Sequence, residues 1–146
     1  MAWLIVDPND QVFKIAANDT DKAALNYVTG ANGMSEISIT DDEFAKIKKE
    51  LVTVSVSNGV ATLTDIVWAT PNTDKAAIKS YHVELKRTLK EFLDANETNS
   101  LKTACQNYYD YLDGIDYDNV SYSLDKSWEN YCDENSIAYL HPLQIP

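Results

Sequence analysis

Apolar residues come in short runs along the first half of this chain and at helical spacing along the second. The first two runs, Trp3–Val6 and Gln11–Ala16, read as strands. Asp7-Pro8-Asn9-Asp10 between them has the chemistry of a type I turn, so the pair predicts a hairpin. Asp19 or Thr20 is placed to cap a short helix through Tyr27, closed by Gly30. Alternation over Ser35–Thr40, with Ile37 and Ile39 on one face, predicts a third strand. Thr40-Asp41-Asp42-Glu43 is a capping box, and it starts a helix with Phe44, Ile47 and Leu51 inward.

Asn58-Gly59 is the strongest hairpin signal in the chain, because a two-residue type I′ turn needs positive φ at both positions. It sets Val56 opposite Ala61 and Val54 opposite Leu63 on an apolar face. Ser55 then faces Thr62, and Thr53 faces Thr64, on a hydroxylated one. Asp65 to Trp68 extends or leaves the second strand.

From Thr73 the period changes to three and four. With Thr73 as N-cap, Ile78, Tyr81, Leu85, Leu89 and Phe92 form one stripe, and Lys75, Lys79, Lys86, Arg87 and Lys90 lie opposite. Asn99 or Ser100 caps a second helix with Leu101, Cys105, Tyr108, Tyr109 and Leu112 inward and Gly114 at its end. The short link Asn96–Asn99 predicts an antiparallel helical hairpin. An acidic loop, Ile115–Ser123, leads to a third helix over about Asp125–Glu134, with Trp128, Tyr131 and Cys132 inward. Ile137–Leu140 is placed to add a final strand before an extended tail, His141–Pro146. Strands first and helices later predict an α+β fold, an antiparallel sheet of N-terminal hairpins followed by a helical C-terminal half. The chain reads as one domain over residues 1–146. A soft division near Thr70–Thr73 separates a strand-rich part (1–72) from a helix-rich part (73–146).

Composition narrows the function classes. The 146 residues are 45% hydrophobic, with three tryptophans, which suits a folded domain rather than a disordered acidic tail. No apolar run approaches the ~18 residues of a membrane span. The opening Met1–Asp7 lacks the basic n-region of a signal peptide, so synthesis in the cytoplasm is expected. Cys105 and Cys132, with no Cys-x-x-Cys spacing, read as buried free thiols, a disulfide requiring their helices to pack together.

Tyr108–Tyr139 holds seven of the nine tyrosines. Within it, Asp110, Asp113, Asp116, Asp118, Asp125, Glu129, Asp133 and Glu134 face a single base, Lys126, which makes −7 of the total formal charge of −11. Tyrosine gives broad amphipathic contact at low entropy cost, and carboxylates around it repel nucleic acid. The combination reads as a surface for another protein. Tyr109, Tyr111, Tyr117 and Tyr122 are the expected contacts, together with the tail residues His141, Pro142, Leu143 and Ile145; Tyr108 is expected in the core. Crowding of Asp110–Asp118 around Gly114 raises calcium as a ligand, but the spacing is not that of an EF-hand loop, and a solvated loop is the default reading. His82 and His141 stand in no catalytic constellation, and no nucleophile elbow or carboxylate pair stands out. The basic side of the first long helix is diluted by Asp74, Glu84, Glu91 and Asp94, far short of a nucleic-acid surface. Residue chemistry implies no cofactor, metal or enzymatic activity.

Two segments carry a resemblance. Trp3-Leu4-Ile5-Val6-Asp7 followed by Gln11-Val12-Phe13 resembles the opening of tail-fibre assembly and other small tail-associated proteins of bacteriophages. The ending, with Tyr108-Tyr109-Asp110-Tyr111-Leu112, Trp128-Glu129-Asn130-Tyr131 and His141-Pro142-Leu143, resembles small virion proteins of tailed phages. The resemblance implies a structural or assembly protein of the virion, made in the host cytoplasm. Its partners would be other virion proteins or further copies of itself. The alternative from the charge alone is an acidic inhibitor that mimics DNA and blocks a DNA-binding enzyme.

Overall fold

The computed structural model describes residues 1–30, 33–66, 75–95, 98–119 and 128–146, the side chains of Trp128 and Asn130 excepted. Trp68, the Thr70–Thr73 division with its Thr73 cap, Asn96, Tyr122, Asp125 and Lys126 lie outside the described residues. The architecture is α+β, with antiparallel strands first and the long helices in the C-terminal half. The chain forms two compact units, Met1–Ile66 with Pro146 and Val67–Ile145.

In the first unit, β1 (Ala2–Val6) is the middle of a three-stranded antiparallel sheet, between β2 (Val12–Ala16) and β3 (Ser35–Ile39). Its apolar run is nearly unbroken because both faces are covered: Ala2, Leu4, Ile5 and Val6 are all buried. The β1–β2 hairpin forms as expected, but its register slips after Ile5. Ile5 faces Lys14 while Val6 faces Val12, so Phe13 bulges out and stays exposed. The turn is held by the Asp7 carboxylate, which accepts from the Asn9 and Gln11 N–H groups at 2.8 and 2.9 Å, and Asp10 takes a left-handed φ of 60°.

Helix α1 (Asp19–Ala24) is shorter than its sequence suggests and is capped one residue earlier. The Asn18 side chain accepts from the Asp21 N–H at 2.8 Å, and Leu25 is already extended. Asp19, freed from capping, accepts from the Trp3 indole N–H at 2.7 Å. The Lys22 ammonium lies 3.7 Å from the centre of the Trp3 ring and 3.0 Å from Glu36, which also accepts from Tyr27 Oη at 2.8 Å. Those two hydrogen bonds, from Lys22 first and then Tyr27, hold the Glu36 carboxyl below its usual range. Burial, with Glu36 beside it, pushes the Tyr27 phenol up to about 12. This chain of contacts ties α1 and the segment after it across β1 to β3.

The capping box forms in full at α2 (Asp41–Lys48). Thr40 Oγ1 accepts from the Glu43 N–H at 3.1 Å, and Glu43 Oε2 accepts from the Thr40 N–H at 2.8 Å. Ile47 is its buried residue; Phe44 and Leu51 are half-buried. The helix closes in a Schellman motif, Leu51 N–H to Lys46 C=O and Glu50 N–H to Ile47 C=O, both at 3.0 Å. Its left-handed position, φ 56°, is occupied by Glu50 where glycine would be unstrained. The next hairpin, β4 (Val52–Ser57) and β5 (Val60–Asp65), has the register that Asn58-Gly59 implies. Val56 faces Ala61 and Val54 faces Leu63, with φ of 52° and 76° at the turn.

In the second unit, α3 (Lys75–Asp94) and α4 (Lys102–Asp113) pack antiparallel. Leu85, Leu89 and Phe92 are buried as their spacing implies, and Ile78 is half-buried. Tyr81 is exposed, however, and the neighbouring His82 takes the inward place. Asn99 braces the turn into α4, its Oδ1 accepting from the Leu101 N–H at 2.8 Å, rather than capping the helix itself. Leu101, Cys105, Tyr108 and Leu112 are buried and Tyr109 half-buried. Helix α5 (Trp128–Glu134) ends in a second Schellman motif. Here Ile137 N–H bonds to Cys132 C=O and Ser136 N–H to Asp133 C=O, with Ser136 at φ 57°.

Two expectations about the end of the chain are corrected. Ile137–Leu140 forms no strand, and the tail is not extended throughout, since Pro142–Gln144 is a turn of 3-10 helix. Pro142 sits at its first position, where the missing N–H costs nothing. His141 supplies the cap, with Nδ1 accepting from the Leu143 N–H and its own N–H donating to Gln144 Oε1, both at 3.2 Å.

The two ends of α2 predict opposite responses. Thr40→Ala should lower stability by about 1 kcal/mol through loss of the cap. Glu50→Gly should raise it by roughly 0.5–1 kcal/mol by relieving the left-handed backbone. Denaturant midpoints measured at constant slope check both signs.

Candidate functional site

The tyrosine-rich acidic segment is assembled on the α3–α4 pair. Gly114 ends α4, and Asp116 then organises a tight turn. Its Oδ1 accepts from the Asp118 N–H at 3.1 Å and its Oδ2 from the Asn119 side chain, while its C=O accepts from the Asn119 N–H at 3.2 Å. Hydrogen bonds from Asn119 and from the Asp118 backbone hold the Asp116 carboxyl below its usual range. The aspartates that suggested calcium are therefore turn formers and exposed charges. Among the described residues, no group of three His, Cys, Asp or Glu side chains is placed to hold a metal ion.

The turn carries Tyr117 back onto α3, where its Oη lies 2.7 Å from His82 Nδ1. His82 is fully buried, and burial, with Lys86 nearby, pushes its imidazole down to about 4. It is a neutral structural group at ordinary pH. Burial also raises the Tyr117 phenol. Two further contacts run along the same seam: Lys86 pairs with Asp113 at 3.5 Å, and the Lys79 ammonium lies 5.9 Å from the Tyr117 ring centre. Lys75 is close enough to favour the charged form of Asp116. The basic side of α3 thus meets acidic residues of its own chain.

Tyr111, also on α4, is half-buried. Burial first, then the neighbouring Cys132, Tyr131 and Tyr117, push its phenol up to about 12. Cys132 and Cys105 are both buried and form no disulfide, and burial followed by Glu129 raises the Cys132 thiol to about 12. A thiol so far from ionising is a packing group. Glu129, one of the carboxylates in the acidic count, is 1% exposed and within 3.4 Å of Tyr81 Oη. It belongs to the interior, and only its long-range partner could have revealed that.

The expected contact residues thus separate into groups. Tyr109, Tyr111 and Tyr117 are half-buried on or just after α4, among exposed Asp110, Asp113, Asp116 and Asp118. Tyr122 lies outside the described residues, and Tyr108 is buried in the core as expected. In the tail, His141 and Ile145 are already covered by their own chain, at 8% and 1% exposure, while Pro142 and Leu143 keep partial exposure. The structure therefore leaves the tyrosines of α4 and of its following turn partly accessible, with Tyr109 and Tyr111, two positions apart on the helix, on different sides of it. His82 was missed as an inward residue because Tyr81 fits the apolar stripe better on hydropathy alone.

The buried imidazole gives a pH prediction. Its folded value, about 4, lies below the unfolded value near 6.5, so the unfolded state takes up the proton first. The His82 contribution is complete above pH ~6.5 and is lost as pH falls towards ~4, at up to about 1.4 kcal/mol per pH unit. Unfolding free energies of wild type and His82→Gln between pH 5 and 6.5, conditions chosen above most carboxylate titration, should show a shallower slope in the variant.

Comparison with protein-family models, with curated proteins and with solved structures finds no match to this chain.

Proposed function

We propose that the chain is a non-enzymatic virion structural or assembly protein that works through protein–protein contacts. The contact part of this reading rests on one observation: Tyr109, Tyr111 and Tyr117, on α4 or just after it, are each partly accessible and lie among exposed aspartates. Such a segment combines partly exposed aromatic groups with surface charge, the residue types of binding anchors and of the polar rims around them. Tyr117 is fixed by His82 and Tyr111 is packed beside Cys132, so neither has to be ordered on binding. The virion part rests on the resemblance of the two ends of the chain to small proteins of tailed phages.

A partner suited to this segment presents apolar surface with lysine or arginine around it, because it must meet four carboxylates without repulsion. His82 and Cys132 are spent on packing, which supports a binding role over a catalytic one. The proposed contacts extend to Pro142 and Leu143, the partly exposed tail residues.

Mass spectrometry of purified phage particles should find the chain at a fixed copy number. Tyr109→Ala or Tyr111→Ala should weaken association with its virion partner by about 2 kcal/mol, roughly thirtyfold, while far-UV circular dichroism stays unchanged. Absence from particles would leave only the assembly-factor form. Displacement of the partner by duplex DNA, itself lost at high salt, would favour the acidic-inhibitor reading instead.

A further inference from the structure

The β4–β5 hairpin is uncharged up to Asp65, in an acidic chain. Residues 51–64 contain no ionisable side chain, in a protein of net charge −11. Counting from the Asn58-Gly59 turn, Ser57 and Val60, Ser55 and Thr62, and Thr53 and Thr64 are the hydrogen-bonded pairs. The Ile66 N–H continues the series to Leu51 C=O at 2.9 Å. The backbone groups of Ala61 and Leu63 on β5, and of Val54 and Val56 on β4, therefore point away from the hairpin. Among the described residues they meet no hydrogen-bond partner.

The two edges are not equal. Among the described elements, α2 has neighbours on β4, and the main neighbour of β5 is β4 itself. Strand β5 carries no lysine, no proline and no bulge, the devices that normally keep an edge from pairing. Its apolar side is only half covered: Val54, Val56, Ala61 and Leu63 are all half-buried. Two strands alone make a marginal sheet.

We propose that β5 pairs antiparallel with β5 of a second copy about a two-fold axis, giving a four-stranded sheet in the order β4-β5-β5-β4. Charge selects the second copy. Two chains of this net charge repel over most of their surfaces, and the hairpin is where that repulsion is least. A basic partner would find an acid only at the end of β5, Asp65, whereas the chain itself supplies a strand of matching length whose residues 60–64 are uncharged. Two-fold pairing centred on Thr62 sets Thr62 against Thr62 and Ala61 against Leu63 of the second copy. The half-covered apolar side then becomes continuous across both hairpins. This inference rests on the hairpin alone and is independent of the tyrosine segment.

Analytical ultracentrifugation of the full chain, with amide exchange read at single residues, tests it. The wild type should sediment as a dimer that dissociates on dilution. The Ala61 and Leu63 amides should exchange at least about tenfold more slowly in concentrated than in dilute protein. Thr62→Lys opposes two like charges at the axis, and Ala61→Pro removes an outward N–H without touching the β4–β5 bonds. Both should be monomers with wild-type circular dichroism; if Ala61→Pro fails to fold, Thr62→Lys decides alone. A wild type monomeric at millimolar concentration would overturn the proposal, as would a dimer that survives folded Thr62→Lys. So would Ala61 and Leu63 amides whose exchange ignores concentration.

Discussion

A neutral imidazole inside an acidic protein is the constraint on which the helical unit depends. Net charge of −11 makes it costly to fold a tyrosine-rich acidic turn back onto a helix, and the cost is met by what that helix presents. His82 holds Tyr117, Lys86 pairs with Asp113, and Lys79 sits over the Tyr117 ring. The exposed ion pair contributes little by itself. The buried hydrogen bond matters more, because a group removed from water is expensive to leave unmatched. With the turn fixed in this way, the aspartates are driven outward and the tyrosines are held half in and half out. The same arrangement that closes the fold leaves Tyr117 partly accessible beside exposed aspartates.

The first unit solves a different problem. Its central strand is covered on both faces, and a polar relay through Trp3, Asp19, Lys22, Glu36 and Tyr27 ties α1 and the segment after it across β1 to β3. Lys22 offsets one of the two carboxylates in that relay, Asp19 and Glu36, and hydrogen bonds from Trp3 and Tyr27 serve the two acids. Beside it stands a hairpin with no charge at all over residues 51–64. Acidic surface and uncharged edge thus fall in separate places along the chain.

Local chemistry was the legible part of the sequence. Asn58-Gly59 determined the β4–β5 register because positive φ at two adjacent residues admits few alternatives. The Thr40–Glu43 box likewise marked the start of α2, since both of its hydrogen bonds lie within four residues. What stayed hidden depended on distant partners or tolerated strain. His82 turns inward for a tyrosine 35 residues away, and buried Glu129 reaches a tyrosine 48 residues back. Glu50 and Ser136 occupy left-handed helix ends where glycine would have announced a stop. The bulge at Phe13 arises from pairing along the whole of β1, which no window on β2 alone contains. In the same way the aspartates of the acidic segment were legible as charge, but the burial of Glu129 among them was not.

The central claim is that His82 is buried, neutral and bonded to Tyr117, and that this bond carries the acidic turn. Heteronuclear NMR of the imidazole nitrogens across a pH titration of the full chain tests it most directly. The account predicts a single neutral tautomer that persists until pH falls to about 4, shifted by Tyr117→Phe. An imidazole titrating near its ordinary value of ~6.5, with tautomers averaged and no response to Tyr117→Phe, would contradict it.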